Sequence, residues 1–469
     1  MLYLTFLFYE FTTLKKALIL NQKIFFLTFI QNKRFFEGNI PFMRSCMFDL
    51  NRWLVAVSFL SFLSVDYVYA KKVHHKKHSH KVEEKETKKT DKKLDEKLGE
   101  NPSSKPTTPF IGMPIDIDVD AREVYLIDSE TGAVLLEKDA TQPMHPSSMT
   151  KIMTAYLVIQ KIKEGVIKPD TILTVSKNGW RVEGSSMFLN LNDQVSVADL
   201  LKGLIIQSGN DASVTLAENI SGSEAAFAKE MTRVAHEMGA TQTHFVNTSG
   251  LPVPEHLTTA KDLATISQRV IKDQSDYYPI YSEKEFSYGK IKQGNRNPLL
   301  YKNIGCDGIK TGSSSVAGYG MVASCLQDGR RLILVINGLK SMQARANEAT
   351  KLITWGFRSF VNKEIATQGK VIGDIPVTYG EHDFVTAVVS AKRVITIPKA
   401  FESTLKTSIE AFPTVEAPVA AGTVLGKMTI TSTALNEPIV IDLVAKAPVE
   451  RAGLLKYLGQ LLASPFKKK

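Results

Sequence analysis

Cysteine is scarce in this chain of 469 residues, which contains only Cys46, Cys306 and Cys325. Three cysteines do not make the disulfide framework that supports small secreted domains, so the fold must rest on a hydrophobic core. Cys306 and Cys325 could pair in an oxidising compartment, but we expect two unpaired, half-buried thiols. A composition with 43% hydrophobic and 23% charged residues is that of an ordinary globular protein. The length predicts about two to three domains.

A long uncharged run is also missing from residues 1–42, which are apolar but are interrupted by charged side chains. No stretch of about 18 uncharged residues there fits a transmembrane helix. Much of the net charge of +10 comes from residues 71–100, which hold 11 Lys against 7 Asp and Glu. Elsewhere the sequence has no basic stripe interleaved with aromatic residues, so it does not predict nucleic-acid binding.

Residues 43–70 have the three parts of a secretory signal peptide, namely basic residues, an apolar run and small residues before a cleavage site. We expect translation to start at Met43 or Met47, which makes residues 1–42 an upstream extension of the gene. Residues 71–109 are rich in Lys, Glu and His, which predicts a disordered charged linker. Four histidines of this linker could bind a metal but are better interpreted as part of a solvated tail; they are His74, His75, His78 and His80.

Residues 110–363 combine helix and strand patterns. A hairpin is predicted for Arg122–Asp128 and Ala133–Glu137, because two apolar runs flank a Thr-Gly turn. Further helices are predicted for Ser196–Ile206, Ser223–Met238 and Asn347–Phe360, and strands for Val316–Cys325 and Arg331–Asn337. Strands at both ends of a helical middle predict an α/β fold of the α+β type, in which helices cover an antiparallel sheet.

The composition changes after about residue 363. Residues 364–447 alternate Val, Thr and Ile between Gly and Pro, which predicts a small all-β domain. Residues 448–469 return to helical spacing and end in three lysines. One stripe of this amphipathic helix is formed by Leu454, Leu455, Leu458, Leu461 and Leu462. The helix is too short to span a bilayer, so we expect it to lie in a membrane surface, with packing on the β domain as the alternative.

The stretch from Pro146 to Lys151 carries the chemistry of the chain. Apolar residues recur at helical spacing after it, which predicts a helix that begins near Ser148. Ser148 and Lys151 are three residues apart and would share one face at the helix N-terminus. A serine hydroxyl becomes a nucleophile when a neighbouring base takes its proton, and a lysine with a lowered pKa can be that base. Alone, this spacing is a weak signal, since both residue types are common.

Two further motifs follow in order. Ser208-Gly209-Asn210 lies in a polar break between two apolar stretches, and Lys310-Thr311-Gly312 precedes a predicted strand. Ser-x-x-Lys, Ser-x-Asn and Lys-Thr-Gly in this order are the motifs of penicillin-binding proteins and serine β-lactamases. Three motifs in their expected contexts form a specific signal, whereas any one of them does not.

The chain resembles the low-molecular-mass penicillin-binding proteins that are D-alanyl-D-alanine carboxypeptidases. The resemblance covers about residues 110–469, including the β domain and the terminal helix. Beyond the three motifs it rests on Gly184–Phe188, Gln207–Asp211, Asn295–Asn297, Ala317–Tyr319 and Thr354–Phe357. It implies a two-step acyl transfer on peptidoglycan stem peptides, with no metal or other cofactor.

The resemblance also implies roles for individual residues. Ser148 would attack the carbonyl between two D-alanines, and Lys151 would take its proton. Ser208 would relay a proton to the leaving D-alanine, and Asn210 would position the peptide. The backbone N–H groups of Ser148 and Ser313 would form the oxyanion hole.

The terminal carboxylate of the substrate would be held by a second group of residues. Lys310 and Thr311, which share a motif with Gly312, would bind it together with Arg296 and Arg345. Arginine suits this task because its planar fork matches a carboxylate. A second lysine near Lys151 would also help to keep Lys151 neutral.

The resemblance implies secretion to the periplasm and attachment to the outer face of the cytoplasmic membrane. Its partners would be peptidoglycan stem peptides and β-lactam inhibitors. A serine β-lactamase is an alternative, but the glutamate that class A enzymes use for deacylation has no counterpart between Ser208 and Lys310. A D,D-endopeptidase would use the same residues. A non-catalytic wall-binding protein is a third alternative, although it would not need both Ser148 and Lys151.

Overall fold

The structure is a computed structural model that describes residues 104–463. The expected upstream extension, the signal peptide, the histidine cluster and the three terminal lysines lie outside the described residues. Thr107 already pairs with Glu137 in an isolated bridge, two residues before the expected end of the linker.

The first region has nine strands and seven helices among the described residues. The strands are β1 (Glu123–Asp128), β2 (Val134–Lys138), β3 (Ile172–Thr174), β4 (Gln194–Ser196), β5 (Glu285–Tyr288), β6 (Ile291–Gly294), β7 (Cys306–Ser314), β8 (Gly318–Gln327) and β9 (Arg330–Leu339). The α-helices are α1 (Lys151–Lys163), α2 (Lys177–Arg181), α3 (Val197–Lys202), α4 (Asn210–Ser221), α5 (Glu224–Glu237), α6 (Ala260–Asp273) and α7 (Met342–Ser359).

A five-stranded antiparallel sheet forms the centre of this region, in the order β2-β1-β9-β8-β7. Strand β1 from the start of the region pairs with β9 from its end, with Leu126 opposite Leu334. This pairing encloses the helical middle, so the predicted fold, an antiparallel sheet covered by helices, is confirmed. Strand β7 lies at the open edge of the sheet and pairs with β8 alone.

Helices cover both faces of the sheet. Successive strand residues point to opposite faces, and β9 divides its side chains accordingly. Ile333 and Val335 belong to the hydrophobic cluster of α1, whereas Leu332 and Leu334 belong to that of α7. All six residues of β1 are buried, which explains why its sequence is an apolar run without alternation.

Side-chain caps decide where several helices begin. Ser196 accepts a hydrogen bond from the N–H of Asp199 and Ser223 accepts one from the N–H of Ala226, so both cap helices at the predicted starting residues. Helix α7 begins at Met342, five residues before the predicted start, because Ser341 accepts a hydrogen bond from the N–H of Ala344. The predicted helix Ser196–Ile206 is α3 followed by a π-helical turn, Gly203–Gln207.

The prediction of two unpaired thiols is wrong, because Cys306 and Cys325 form a disulfide. The register of the sheet places Cys306 of β7 directly opposite Cys325 of β8. Cys325 is fully buried. The bond therefore joins the first residue of the edge strand to its only neighbouring strand.

The second region is a β structure, as predicted. Its strands are β10 (Phe360–Ala366), β11 (Val371–Thr378), β12 (Phe384–Val389), β13 (Arg393–Pro398), β14 (Lys406–Ala411), β15 (Val415–Glu416), β16 (Val424–Thr431) and β17 (Ile439–Ala445). Six of them form a sheet in the order β14-β16-β17-β12-β11-β15, and β10 pairs with β13. Strands β10, β11, β14 and β15 were not predicted from the sequence. All six residues of β14 are exposed, so its sequence shows no alternation.

A last helix, α8 (Leu454–Ala463), closes the described chain. It starts six residues after residue 448, the predicted start, because Val449 is buried and pairs with Val419. Within residues 104–463, no helix is both long and apolar enough to cross a bilayer.

Candidate active site

The serine of the first motif lies in a tight turn that leads into α1. A 3-10 turn covers Ser147–Thr150, and α1 follows without a break at Lys151. Ser147 has a φ of 48°, a left-handed conformation that is uncommon outside glycine. Gly250 lies against this turn so closely that an added Cβ would stand 1.8 Å from the carbonyl oxygen of Ser147. The half-buried Ser148 is thereby presented at the helix N-terminus.

Lys151 is buried and its amine has three oxygen partners. The Nζ atom donates to Ser148 Oγ at 3.1 Å, to Asn210 Oδ1 at 2.7 Å and to the carbonyl oxygen of Ser249 at 2.6 Å. Burial, followed by the positive charge of Arg296, lowers the pKa of Lys151 to about 7. At neutral pH a substantial fraction of this lysine is therefore uncharged and able to accept a proton from Ser148.

Nearby negative charges oppose this lowering. Asp211 and Glu224 raise the pKa of Lys151, each by less than burial lowers it. The carboxylate of Asp211 is bonded to the loop of residues 183–189, since it accepts hydrogen bonds from Ser186 Oγ at 2.6 Å and from the N–H of Leu189 at 3.1 Å. The carboxylates thus sit near the lysine without pairing with it.

The serine of the second motif lies beside the lysine of the third motif. Ser208 follows the π-helical turn with a left-handed φ of 63° and is almost fully buried. Lys310 Nζ donates to Ser208 Oγ at 2.9 Å. Burial, followed by the charges of Lys151, Arg296 and Arg345, lowers the pKa of Lys310 well below its ordinary value.

Asn210 is the first residue of α4 and joins two sides of the cleft. Its Oδ1 accepts from Lys151, and its Nδ2 donates to the carbonyl oxygen of Glu183 at 2.6 Å. An added Cβ on Gly184 would lie 2.7 Å from Asn210 Nδ2, so this approach requires glycine. The loop of residues 183–189 is thereby fixed across the mouth of the cleft.

Strand β7 forms the opposite wall of the cleft. Lys310, Thr311 and Gly312 follow each other along it and are buried. An added Cβ on Gly312 would stand 2.9 Å from the carbonyl oxygen of Pro146, so the strand passes close to the nucleophile turn. Ser147 Oγ donates to Ser314 Oγ at 3.1 Å and connects the two walls. Ser313 is exposed.

The two predicted arginines approach β7 from different sides. Arg345 of α7 is buried, and its Nη1 donates to the carbonyl oxygens of Gly312 at 3.3 Å and Gly320 at 3.4 Å. Burial lowers the pKa of Arg345 to about 10. Arg296 is exposed and donates to Ser185 Oγ at 2.5 Å. All predicted site residues therefore lie on or beside one cleft.

Some participants were missed by the sequence analysis. The Ser249 carbonyl is a backbone group, so no residue type marks it. Glu224 hydrogen-bonds Thr248 and acts on Lys151 only through space. Asp211 had one available signal, because it follows Ser-x-Asn at the start of a helix. Within the described residues, no group of three or more His, Cys, Asp or Glu side chains could hold a metal ion.

A mixed α/β fold with a serine, two buried lysines and an Asn-bearing helix around one cleft defines a serine acyltransferase of the penicillin-binding type. Residues 109–341 match the model of the D-alanyl-D-alanine carboxypeptidase family, and residues 360–451 match that of the penicillin-binding protein 5 C-terminal domain. The chain belongs to the D-alanyl-D-alanine carboxypeptidase family of low-molecular-mass penicillin-binding proteins.

Individual relatives agree with this assignment. The chain is 40% identical to the D-alanyl-D-alanine carboxypeptidase DacA of Haemophilus influenzae, over 66% of this chain and 80% of the relative. It is 42% identical to DacC of Escherichia coli, over 66% of this chain and 79% of the relative. The crystal structure of penicillin-binding protein 5 from Haemophilus influenzae superposes with a TM-score of 0.64 at 37% identity, covering 72% of this chain and 100% of that one.

Proposed function

We propose that Ser148 is the nucleophile and Lys151 the general base of a serine-type D-Ala-D-Ala carboxypeptidase, the hydrolase activity of this family. The observation that carries the assignment is the buried Lys151 amine, 3.1 Å from Ser148 Oγ, with its pKa lowered to about 7. A base is most effective when its pKa lies near the working pH. The substrate is a peptidoglycan stem peptide that ends in D-Ala-D-Ala.

Acylation begins with attack of Ser148 Oγ on the carbonyl carbon between the two D-alanines, while Lys151 accepts the hydroxyl proton. The tetrahedral oxyanion is stabilised by the backbone N–H groups of Ser148 and Ser313. Its collapse breaks the peptide bond and leaves an ester on Ser148. Ser208, hydrogen-bonded to Lys310, relays the proton from Lys151 to the leaving amine of D-alanine, so that Lys151 is again uncharged and Ser208 keeps its hydroxyl proton. Water then hydrolyses the ester, and Ser148 recovers its proton.

The free carboxylate of the substrate is held at the β7 wall. Lys310 and Thr311 lie on this strand beside Ser208, and the other positive groups that act on Lys310 are Lys151, Arg296 and Arg345. A cluster of buried or half-enclosed cations without paired carboxylates favours an anion. The same site accepts β-lactams, whose carboxylate takes the position of the peptide carboxylate while the ring carbonyl acylates Ser148.

The test is intact-mass analysis of the chain from residue 71 after exposure to penicillin. We expect one stable penicillin adduct, which Ser148→Ala abolishes. Ser282→Ala is the matched control, because it removes an exposed hydroxyl that donates to the carbonyl oxygen of Pro279 away from the site and should keep the adduct. Rapid loss of penicillin without an adduct would favour a β-lactamase. If the protein neither forms an adduct nor cleaves the peptide, the catalytic assignment is wrong. The wall-binding protein is then the remaining alternative.

We further propose that the protein is secreted and lies on the outer face of the cytoplasmic membrane, with residues 110–363 as catalytic domain and residues 364–447 as β domain. Helix α8, within residues 448–469, would be the contact. Its leucine stripe is exposed, with Leu455 88% and Leu462 74% accessible. Tyr457, by contrast, stacks on Tyr379 of the β region, with ring centroids 5.1 Å apart. An apolar stripe followed by lysines suits an anionic lipid surface.

Vesicle co-sedimentation tests this contact. We expect the chain to bind vesicles that contain anionic lipid and to be released when residues 454–469 are removed. Replacing Leu455 and Leu462 by Asp should weaken binding similarly while peptide hydrolysis in solution is unchanged. Binding of both variants at the wild-type level would refute the proposal.

A further inference from the structure

His256 is a buried histidine that has no part in the acyl transfer described above. It is 1% exposed. Its Nδ1 accepts hydrogen bonds from the backbone N–H of Val246 at 3.0 Å and of Asn247 at 3.4 Å. Its Nε2 lies 2.8 Å from Thr150 Oγ1. One ring therefore bonds to two segments that are about 100 residues apart in the chain.

These contacts fix the protonation state of the ring. Because Nδ1 faces two N–H donors, it must be the nitrogen without a proton, so Nε2 carries the proton and donates to Thr150 Oγ1. Burial, reinforced by the charges of His145, His244 and Lys151, lowers the pKa of His256 to about 3. His256 is therefore neutral at neutral pH and transfers no proton in the reaction.

The two segments that His256 joins are those that hold the amine of Lys151. Thr150 directly precedes Lys151 in the chain. Residues 246–250 carry the Ser249 carbonyl oxygen, which accepts from Lys151 Nζ at 2.6 Å. Within this segment the N–H of Gly250 donates to Asn247 Oδ1 at 2.7 Å, so a bond at Asn247 reaches the carbonyl through one tight turn.

His256 also contacts the start of the nucleophile turn. Its backbone carbonyl accepts a hydrogen bond from His145 Nδ1 at 3.1 Å. His145 directly precedes Pro146 and is buried. The turn that presents Ser148 is thus attached to His256 at both ends, through His145 and through Thr150.

We propose that His256 is a positioning residue that holds the Ser249 carbonyl, Lys151 and the nucleophile turn in fixed relative positions. This inference rests on the proposed function, since it takes Lys151 as the base. It assigns His256 no contact with substrate. Displacement of a reacting group by about 1 Å is enough to cost a large factor in rate.

Loss of the ring hydrogen bonds has a defined effect on Lys151. Residues 246–250 would relax, and water would reach the amine. Burial is the chief cause of its lowered pKa, so the pKa would rise towards its ordinary value. The charged groups that act on this amine are unchanged; they are Lys310 and Arg296, which disfavour its positive charge, and Asp211 and Glu224, which favour it.

The experiment compares His256→Phe with His244→Phe in the chain from residue 71, using a peptide that ends in D-Ala-D-Ala. Phenylalanine keeps an aromatic ring but loses the three hydrogen bonds of the imidazole ring, which join it to Val246, Asn247 and Thr150. We expect kcat to fall about 10- to 100-fold with little change in KM. We also expect the acid limb of kcat/KM to move up by about one pH unit. His244 is exposed and bonds only a carbonyl in the described structure, so its variant should match the wild type.

Two milder variants keep the inference testable if His256→Phe does not fold. Thr150→Val removes one hydroxyl and keeps the shape of the side chain. It should move the acid limb of kcat/KM to higher pH, by less than His256→Phe does. His256→Asn places an amide oxygen near the position of Nδ1 and should recover part of the lost rate. An unshifted acid limb in folded His256→Phe or Thr150→Val would overturn the inference. If the wild-type protein forms no penicillin adduct, the proposed function is refuted instead.

Discussion

The two walls of the cleft carry the same residue type for different tasks. The helical wall, which consists of the nucleophile turn and α1, presents Lys151 to Ser148. The strand wall, which is β7, presents Lys310 to Ser208. Both lysines are buried and both have lowered pKa values. Lys151, however, is surrounded by fixed acceptors from Asn210 and Ser249, whereas Lys310 has one hydroxyl and the carbonyl of Thr311. Lys151 is thus held by acceptors within the protein, whereas Lys310 has fewer acceptors, which fits the proposal that it binds the substrate carboxylate.

Replacing the lysine of the helical wall should have the largest effect. Lys151→Met keeps an apolar chain of similar length but removes the only base within reach of Ser148 among the described residues. We expect penicillin acylation to slow by about 10³-fold or more, within the upper range of general-base contributions. The measurement is the rate of adduct formation by mass spectrometry.

Lys161→Met serves as the control for this change. Lys161 lies on the same helix but bonds Glu164 at the surface. Acylation at the wild-type rate by Lys151→Met would assign the base to another group and abolish the distinction between the walls.

Replacing the lysine of the strand wall should have a smaller and more selective effect. Lys310→Met removes the amine that we propose binds the substrate carboxylate, and a hydrogen bond to a charged group contributes about 1.5–3 kcal/mol. We expect kcat/KM for a D-Ala-D-Ala peptide to fall about 10- to 100-fold. The same peptide with a C-terminal amide should lose much less. Equal losses for acid and amide would mean that Lys310 does not recognise the carboxylate.

The disulfide stabilises the strand wall alone, and its removal should affect stability more than chemistry. Cys306 and Cys325 close a loop with a sequence separation of 19 residues. The double variant Cys306→Ser, Cys325→Ser should lower the free energy of unfolding by up to about 3 kcal/mol, most of it by freeing the unfolded chain. Thermal denaturation measures this loss, and the penicillin adduct should still form at low temperature. Two free thiols detected in the native wild-type protein would contradict the pairing.

The helical wall was more predictable from sequence than the strand wall, because its key contact is local. Ser148 and Lys151 are three residues apart, and helical periodicity alone brings them together. The contact of Lys310 with Ser208 spans 102 residues and was accessible only through the family motifs. The prediction of two unpaired cysteines was wrong for the same reason, since their pairing depends on the register of β7 against β8.

Other parts of the site leave no trace in residue type. The acceptor at Ser249 is a carbonyl that every residue possesses. His256 is a single histidine among nine, and its role comes from three contacts that only the folded chain creates. In the second region, β14 is exposed throughout and gives no alternating pattern. The sequence therefore predicted the side chains that would take part in the reaction better than the groups that only hold those side chains in position.

The smallest change tests the charge balance of the helical wall. Glu224 Oε1 accepts from the N–H and the hydroxyl of Thr248, both at 2.9 Å, and its charge raises the pKa of Lys151. Glu224→Gln keeps an oxygen for both donors but removes the charge. The pKa of Lys151 should then fall below about 7.

Because Lys151 must be uncharged to accept a proton, acylation rises with pH through this pKa. The acid limb of Glu224→Gln should therefore move to lower pH, by about a few tenths of a unit for a charge acting through space. Glu230→Gln on the same helix, where the carboxylate pairs with Arg233 at the surface, should leave the limb unchanged. A shift to higher pH would mean that loosening of Thr248 outweighs the lost charge, whereas an unmoved limb would mean that a group other than Lys151 titrates there.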